Sequence, residues 1–177
     1  MSRVAKRYAK ALFELAQEQK LLSQVQADLQ HIRTVIEQSP EFVNLLKNPL
    51  ITENEKAQLM RPLFEGKVSR LTLNFLELLS QKRRTEFLDE VIESFEQMVL
   101  EAENKVEGEV VSAVKLTSQQ LTAIKQRIEE LTGKTLLLQE RIDRQILGGF
   151  IVRVKDMVID NSIRYQLEKL RERLATR

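Results

Sequence analysis

Through its first 105 positions the chain spaces apolar residues as helices do, and after Lys105 the period shortens to that of strands. Val4 to about Lys20 predicts one helix and Leu22 to about Gln38 a second, whose Leu22, Val25, Leu29, Ile32, Val35 and Ile36 fall within an arc of about 140°. Ser39-Pro40-Glu41 supplies a capping hydroxyl and then a proline at the first helical position, where a missing N–H is harmless, so a short third helix follows until Asn48-Pro49 breaks it. Thr52-Glu53-Asn54-Glu55 has the spacing of a capping box and opens a fourth helix to about Leu63, before a break at Gly66. A fifth runs from about Val68 to Lys82, and a sixth from about Thr85 through Asn104.

Beyond them, Val106, Gly108, Val110, Ser112 and Val114 alternate with Glu107, Glu109, Val111, Ala113 and Lys115, which predicts a strand. A second capping box at Thr117 to Gln120 starts a helix to Leu131, Gly133 ends it, and Lys134 to Ile142 predicts another strand. Phe150 to Val154 and Met157 to Ile159 flank Lys155-Asp156 with the spacing of a two-residue hairpin. Asp160 or Ser162 then caps a last helix, along which Ile163, Leu167, Leu170 and Leu174 recur. The expected fold class is α+β overall, with an N-terminal six-helix bundle over 1–105 and a small C-terminal α/β domain over 106–177. The boundary is a change of period, with no Gly/Pro linker.

With 177 residues and 42% hydrophobic content the chain can bury a substantial core. No apolar run is long enough to cross a membrane, and the opening MSRVAKRYAK lacks the apolar core of a signal peptide, so a soluble protein without direct membrane insertion is expected. The absence of Cys excludes disulfides, thiol catalysis and thiolate metal sites. Residues 1–105 carry 15 Lys/Arg against 16 Asp/Glu, and residues 106–177 carry 13 against 10. Signs this interspersed argue against nucleic acid as a partner.

Reactive chemistry is hard to assemble. His31, the only histidine, falls on the polar side of the second helix, and no second imidazole or thiolate exists to complete a zinc site. Glu129 and Glu130 are adjacent, diverge around their helix and are expected to be solvated. Gly148-Gly149 precedes a strand, whereas a phosphate loop needs a helix N-terminus there. Ser162 has no sequence-placed base, and capping explains it. No catalytic residue, cofactor site or metal site is expected.

The run Leu147 to Leu170, LGGFIVRVKDMVIDNSIRYQLEKL, resembles the closing segment of the delta subunit of rotary ATP synthases, the oligomycin sensitivity-conferring protein family. Gly148, Gly149, Arg153, Asp156, Asp160, Ser162, Arg164 and Leu167 match its pattern, and AKRYAKALFELA from Ala5 to Ala16 is also typical of the family. Lys155 and Asn161 stand where the family often has Gly. Asn tolerates a left-handed backbone, whereas a positive φ at Lys155 would cost about 1–2 kcal/mol, which leaves the turn type open.

Two helices are apolar over more than one face. The first spreads Val4, Ala5, Tyr8, Ala9, Ala11, Leu12, Phe13, Leu15 and Ala16 over about 200°, and the fifth spreads Val68, Leu71, Leu73, Phe75, Leu76, Leu78 and Leu79 over about 220°. Either both are central in the bundle, or they leave a groove for a partner helix, which the small Ala5, Ala9, Ala11 and Ala16 would let approach closely. The resemblance implies the groove. In delta subunits the helical domain holds the N-terminal helix of the alpha subunit between its first and fifth helices, and the C-terminal domain meets the C-terminal region of the b subunits. By position the candidates for partner contact are Tyr8, Ala11, Leu12, Leu15, Asn74 and Leu78, with Tyr8 favoured for its apolar ring and polar tip. The expected role is a non-catalytic stator connector, peripheral on the cytoplasmic face of the cell membrane. The competing class is a cytoplasmic RNA- or ribosome-associated adaptor, suggested by the small, mildly basic C-terminal domain.

Overall fold

The computed structural model describes residues 2–48 and 50–175. Residue contacts divide the chain into two compact units, Met1–Val99 and Leu100–Arg177.

The first unit contains α1 (Arg3–Glu18), α2 (Leu22–Gln38), α3 (Pro40–Lys47), α4 (Glu53–Phe64), α5 (Arg70–Gln81), a 3-10 turn (Thr85–Phe87) and most of α6 (Leu88–Ala102). The expected caps operate. Ser39 accepts from Phe42 N–H with Pro40 at the first turn of α3, and Thr52 and Glu55 form the reciprocal capping box of α4. Asn48 caps the end of α3; the proline expected to break it, Pro49, lies outside the described residues. Two starts differ from the sequence reading. The fifth helix begins at Arg70, because Ser69 caps it by accepting from Thr72 N–H, and the sixth opens as a 3-10 turn before becoming α-helical at Leu88.

Neither α1 nor α5 ends on glycine. Lys20 (φ 58°) and Arg83 (φ 56°) take the left-handed position, so that Leu21 N–H reaches Ala16 O at 2.8 Å and Arg84 N–H reaches Leu79 O at 2.9 Å. These are the closing bonds of a Schellman motif, obtained with side chains that disfavour the conformation. The core of this unit runs from Ala5, Ala9, Leu12 and Ala16 through Val25, Leu29 and Ile32 to Phe64, Leu76, Leu79 and Phe95. Phe13 meets Phe95 edge-on at 5.9 Å and Phe42 meets Phe64 likewise at 5.7 Å, an edge-to-face geometry that ring quadrupoles favour.

The second unit contains β1 (Lys105–Ser112), α7 (Ser118–Thr132), β2 (Thr135–Ile142), β3 (Phe150–Val154), β4 (Met157–Asp160) and α8 (Ile163–Ala175). The sheet order is β2-β1-β3-β4. β1 and β2 are parallel, as the α7 crossover requires, and the other pairs are antiparallel. The strand expected to reach Lys115 stops at Ser112, whose hydroxyl donates to Val114 O at 2.8 Å and turns the chain. Val106, Val110, Leu136, Val152 and Val154 pack on Ile124 and Ile128 of α7. Gly108 makes this possible: a Cβ there would sit 2.7 Å from a Val154 methyl and 2.9 Å from a Leu136 methyl. Glu129, expected to be solvated, instead accepts from Leu136 N–H at 2.8 Å and secures the start of β2.

The hairpin closes through Lys155, which takes a φ of 49°, and Asp156, which has no positive φ, between the paired Val154 and Met157. Asn161 does not use the left-handed region its family position suggested. The glycines of the closing motif act as a cradle. Gly149 has φ 78°, a Cβ on it would collide with Asn161 O, and Gly148 leaves room for Ile163, whose N–H donates to Gly148 O at 3.0 Å. Ser162 caps α8 by accepting from Tyr165 N–H. Among the described residues no helix is long and apolar enough to cross a membrane.

Candidate functional site

Helices α1 and α5 leave a groove between them of about 300 Å³. Its α1 wall is Ala11, Leu15 and Gln19, at one-turn spacing, and its α5 wall is Leu71, Asn74 and Leu78. Leu12 and Phe75 form the floor, only 2% and 7% exposed. Leu15 and Leu78 remain 38% and 40% exposed, although each has core residues of its own helix beside it.

Of the six residues expected to meet a partner, five line this groove: Ala11, Leu12, Leu15, Asn74 and Leu78. Tyr8 does not line it. It stands half-buried at the flank, with its ring 6.5 Å from that of Phe75 and edge-on to it, and the Arg7 guanidinium lies 5.8 Å from its centroid. Leu71 and Phe75 carried the apolar spacing that marks the wall and floor, whereas Gln19 is polar and offers no such signal. The small residues expected to admit a partner helix mostly do not face it. Ala5, Ala9 and Ala16 are fully buried in the core of the first unit, so their small size serves packing there, and only Ala11 faces the groove.

One buried acid sets the position of the α5 wall. Asp28 on α2 accepts from Ser69 N–H at 2.8 Å, Thr72 Oγ1 at 2.7 Å and Gln24 Nε2 at 3.0 Å. Burial pushes its carboxyl upward, but the bonds from Ser69, Thr72 and Gln24 outweigh it and hold the group below the usual aspartate value. The arrangement ties the first turn of α5 to α2.

Lys56 is buried as well, and it donates to Leu46 O at 3.1 Å, at the C-terminal end of α3 where carbonyls lack helical partners. His31 is exposed, with its ring edge-on to Phe64 at 6.4 Å. Among the described residues no group of three or more His, Cys, Asp or Glu is placed to hold a metal ion.

The second unit offers different apolar surfaces. Every residue of α8 from Ile163 to Leu174 is exposed, including Ile163 at 45%, Leu167 at 57%, Leu170 at 53% and Leu174 at 69%. These four lie along one stripe. A separate cleft of about 400 Å³ opens between α7 and the sheet, lined in part by Leu116, Ile124, Phe150, Val152 and Ile159.

Known proteins match this chain over nearly its whole length. Residues 4–174 fit the family described as ATP synthase delta (OSCP) subunit. The ATP synthase subunit delta of Alkaliphilus oremlandii is 37% identical over 172 residues, covering 97% of this chain and 96% of that protein. That of Lactobacillus johnsonii is 39% identical over 172 residues, covering 97% and 94%, and that of Chlorobaculum tepidum 37% over 170 residues, covering 96% and 94%. In fold, the chain is similar to one in the cryo-EM structure of the Toxoplasma gondii mitochondrial ATP synthase hexamer, with a TM-score of 0.73 at 24% identity over 98% of both chains. These matches lend no support to an RNA- or ribosome-associated adaptor. The chain belongs to the ATP synthase delta (OSCP) subunit family, whose members are non-catalytic stator connectors.

Proposed function

We propose that the connector works through two separate grips. The helices over 1–105 act as a six-helix bundle whose α1/α5 groove receives the N-terminal helix of the alpha subunit. The small α/β domain over 106–177 meets the C-terminal region of the b subunits, and the apolar stripe of α8 is the surface suited to that contact. The protein then sits peripherally, on the cytoplasmic face of the membrane, as part of the ATP synthase. The observation that carries this reading is the groove itself, where Leu15 and Leu78 stay exposed above a floor of Leu12 and Phe75. An amphipathic helix laid there would bury them.

Such a joint has to resist the torque that rotation exerts on the catalytic head. Slow dissociation under load calls for buried apolar anchors, and joining two grips in one chain raises the effective strength of the whole. The test is binding of a peptide with the sequence of the alpha subunit's N-terminus to the full-length chain. A complex weakened by Leu78→Asp and Leu15→Asp, but untouched by Leu167→Asp and Leu170→Asp, supports the division. No complex, or one indifferent to Leu78→Asp in a folded protein, removes the groove assignment.

A further inference from the structure

The apolar stripe of α8 is narrow. Ile163, Leu167, Leu170 and Leu174 recur at intervals of four, three and four residues and fall, at about 100° per position, within an arc of about 60°. A helix that packs into a globular core carries an arc above about 100°, whereas a strict seam of alternating four- and three-residue steps is what two helices share when they wind together. The shape of the stripe therefore suits one helix rather than a broad apolar surface.

Its borders carry charge of one sign. Within about 90° of the middle of the stripe stand Arg164 and Arg171 on one side and Gln166 and Arg173 on the other, all exposed. Glu168 and Glu172 lie about 130° and about 170° round the helix from that middle. Lys169 lies about 130° round the other way, with its ammonium 5.4 Å from the centroid of the Tyr165 ring. Among the described residues the three arginines make no ion pair. Arg173 suits the last turn, but Arg164 stands in the first, which holds no acid and where the helix dipole opposes a cation. A second copy of α8 is a poor occupant, since parallel or antiparallel pairing sets arginine against arginine or glutamine with no acid in reach.

We propose that α8 selects a single amphipathic helix that carries carboxylates on both borders of its own apolar seam, which meet Arg164, Arg171 and Arg173 while the seam covers Leu167 and Leu170. This rests on the reading of α8 as the surface that meets the b subunits, and adds the chemistry by which a helix is recognised there. A guanidinium fork fits a carboxylate, and charges at the rim of an apolar contact fix partner choice more than they add affinity.

Two synthetic helices with the same leucine seam, one bordered by Glu and its twin by Lys, are titrated into the full-length chain by calorimetry at low and high salt. The Glu helix is expected to bind at least about tenfold more tightly at low salt, with the gap closing as salt screens it. Arg164→Gln with Arg171→Gln and Arg173→Gln is expected to bring the two affinities within about twofold, whereas Lys169→Gln, on the outer side, leaves the preference unchanged. Leu167→Asp with Leu170→Asp should abolish binding of the Glu helix, and Leu15→Asp with Leu78→Asp should not change it. Equal binding of the twins at low salt, a preference unmoved by the arginine variant, or one moved as far by Lys169→Gln overturns the charge selection and leaves α8 as an apolar grip. Failure of both helices to bind, binding that survives Leu167→Asp with Leu170→Asp, or a dimer of the chain in sedimentation that those two substitutions dissolve overturns the α8 reading and the inference with it.

Discussion

Asp28 of α2 and Ser69, the N-cap of α5, are joined across 41 positions of sequence by a hydrogen bond of 2.8 Å from the Ser69 backbone N–H to the Asp28 carboxylate. The same carboxylate takes the Thr72 hydroxyl, so a single side chain serves both the cap and the first turn of a helix it does not belong to. Asp28→Ala would take this acceptor from the half-buried Ser69 N–H and leave the buried Thr72 hydroxyl only the Ser69 Oγ, 3.0 Å away. A loss of about 2–3 kcal/mol is expected from chemical denaturation, with a smaller loss for Asp28→Asn, which keeps one acceptor oxygen.

Acid should find the same group. The folded-state value of Asp28 lies below the usual aspartate value, so its contribution is fully present above that value and fades as pH falls through the lower, folded one. Denaturant midpoints measured from pH 6 down to the acid limit should therefore show the parent losing its advantage over Asp28→Asn below about pH 4. An advantage that grows with acid would contradict the assignment.

Three left-handed residues should yield stability when replaced by glycine. Lys20, Arg83 and Lys155 have φ of 58°, 56° and 49°, and each exchange is expected to gain up to about 1 kcal/mol, less the greater freedom glycine brings to the unfolded chain. Lys155 also pairs with Glu101 at 2.7 Å, but both side chains are about half exposed, so the lost pair subtracts little. Thermal melts of the three single variants check this.

Gly149 should behave in the opposite way. Alanine there must adopt a φ of 78° and push against the Asn161 carbonyl, so a loss above about 2 kcal/mol is expected. Because that carbonyl belongs to the junction of β4 and α8, amide exchange should accelerate in β3, β4 and the start of α8 and stay unchanged in the helices of the first unit.

Lys56 separates charge from packing. Thr85 Oγ1 also donates to Leu46 O, at 3.0 Å, so Lys56→Met keeps that carbonyl satisfied and should change stability by less than about 1 kcal/mol. Lys56→Glu places a buried negative charge beside the same carbonyl and should cost more than about 3 kcal/mol. Equal effects in denaturant titrations would mean that the charge is immaterial there.

What the sequence disclosed follows the reach of each signal. Ser39-Pro40, the Thr52 and Thr117 boxes and Gly133 act within one turn of themselves, and they were readable. So was the two-residue hairpin spacing around Lys155-Asp156. The helix ends at Lys20 and Arg83 were not marked by glycine and so carried no such punctuation. Over-wide apolar faces on the first and fifth helices located the groove, but they did not separate the alanines of the core from Ala11 of the wall, because that depends on which neighbours arrive from elsewhere in the chain. Strand order was hidden for the same reason. Nothing local states that β1 lies between β2 and β3, or that Gly108 is small to admit Val154 and Leu136.

The bareness of α8 has a thermodynamic consequence. A helix of 13 residues is marginal in water on its own, and every residue of this one from Ile163 to Leu174 stays exposed, so its order rests on contacts at its first turns, the Ser162 cap, the seat of Ile163 on Gly148 and the Gln166–Asn161 bond, and on backbone propensity. Any partner that takes the stripe must supply whatever ordering free energy the helix lacks. The strength of that grip is therefore adjustable from residues the partner never touches: an alanine on the outer face tightens it, a glycine loosens it, and the contact surface stays the same.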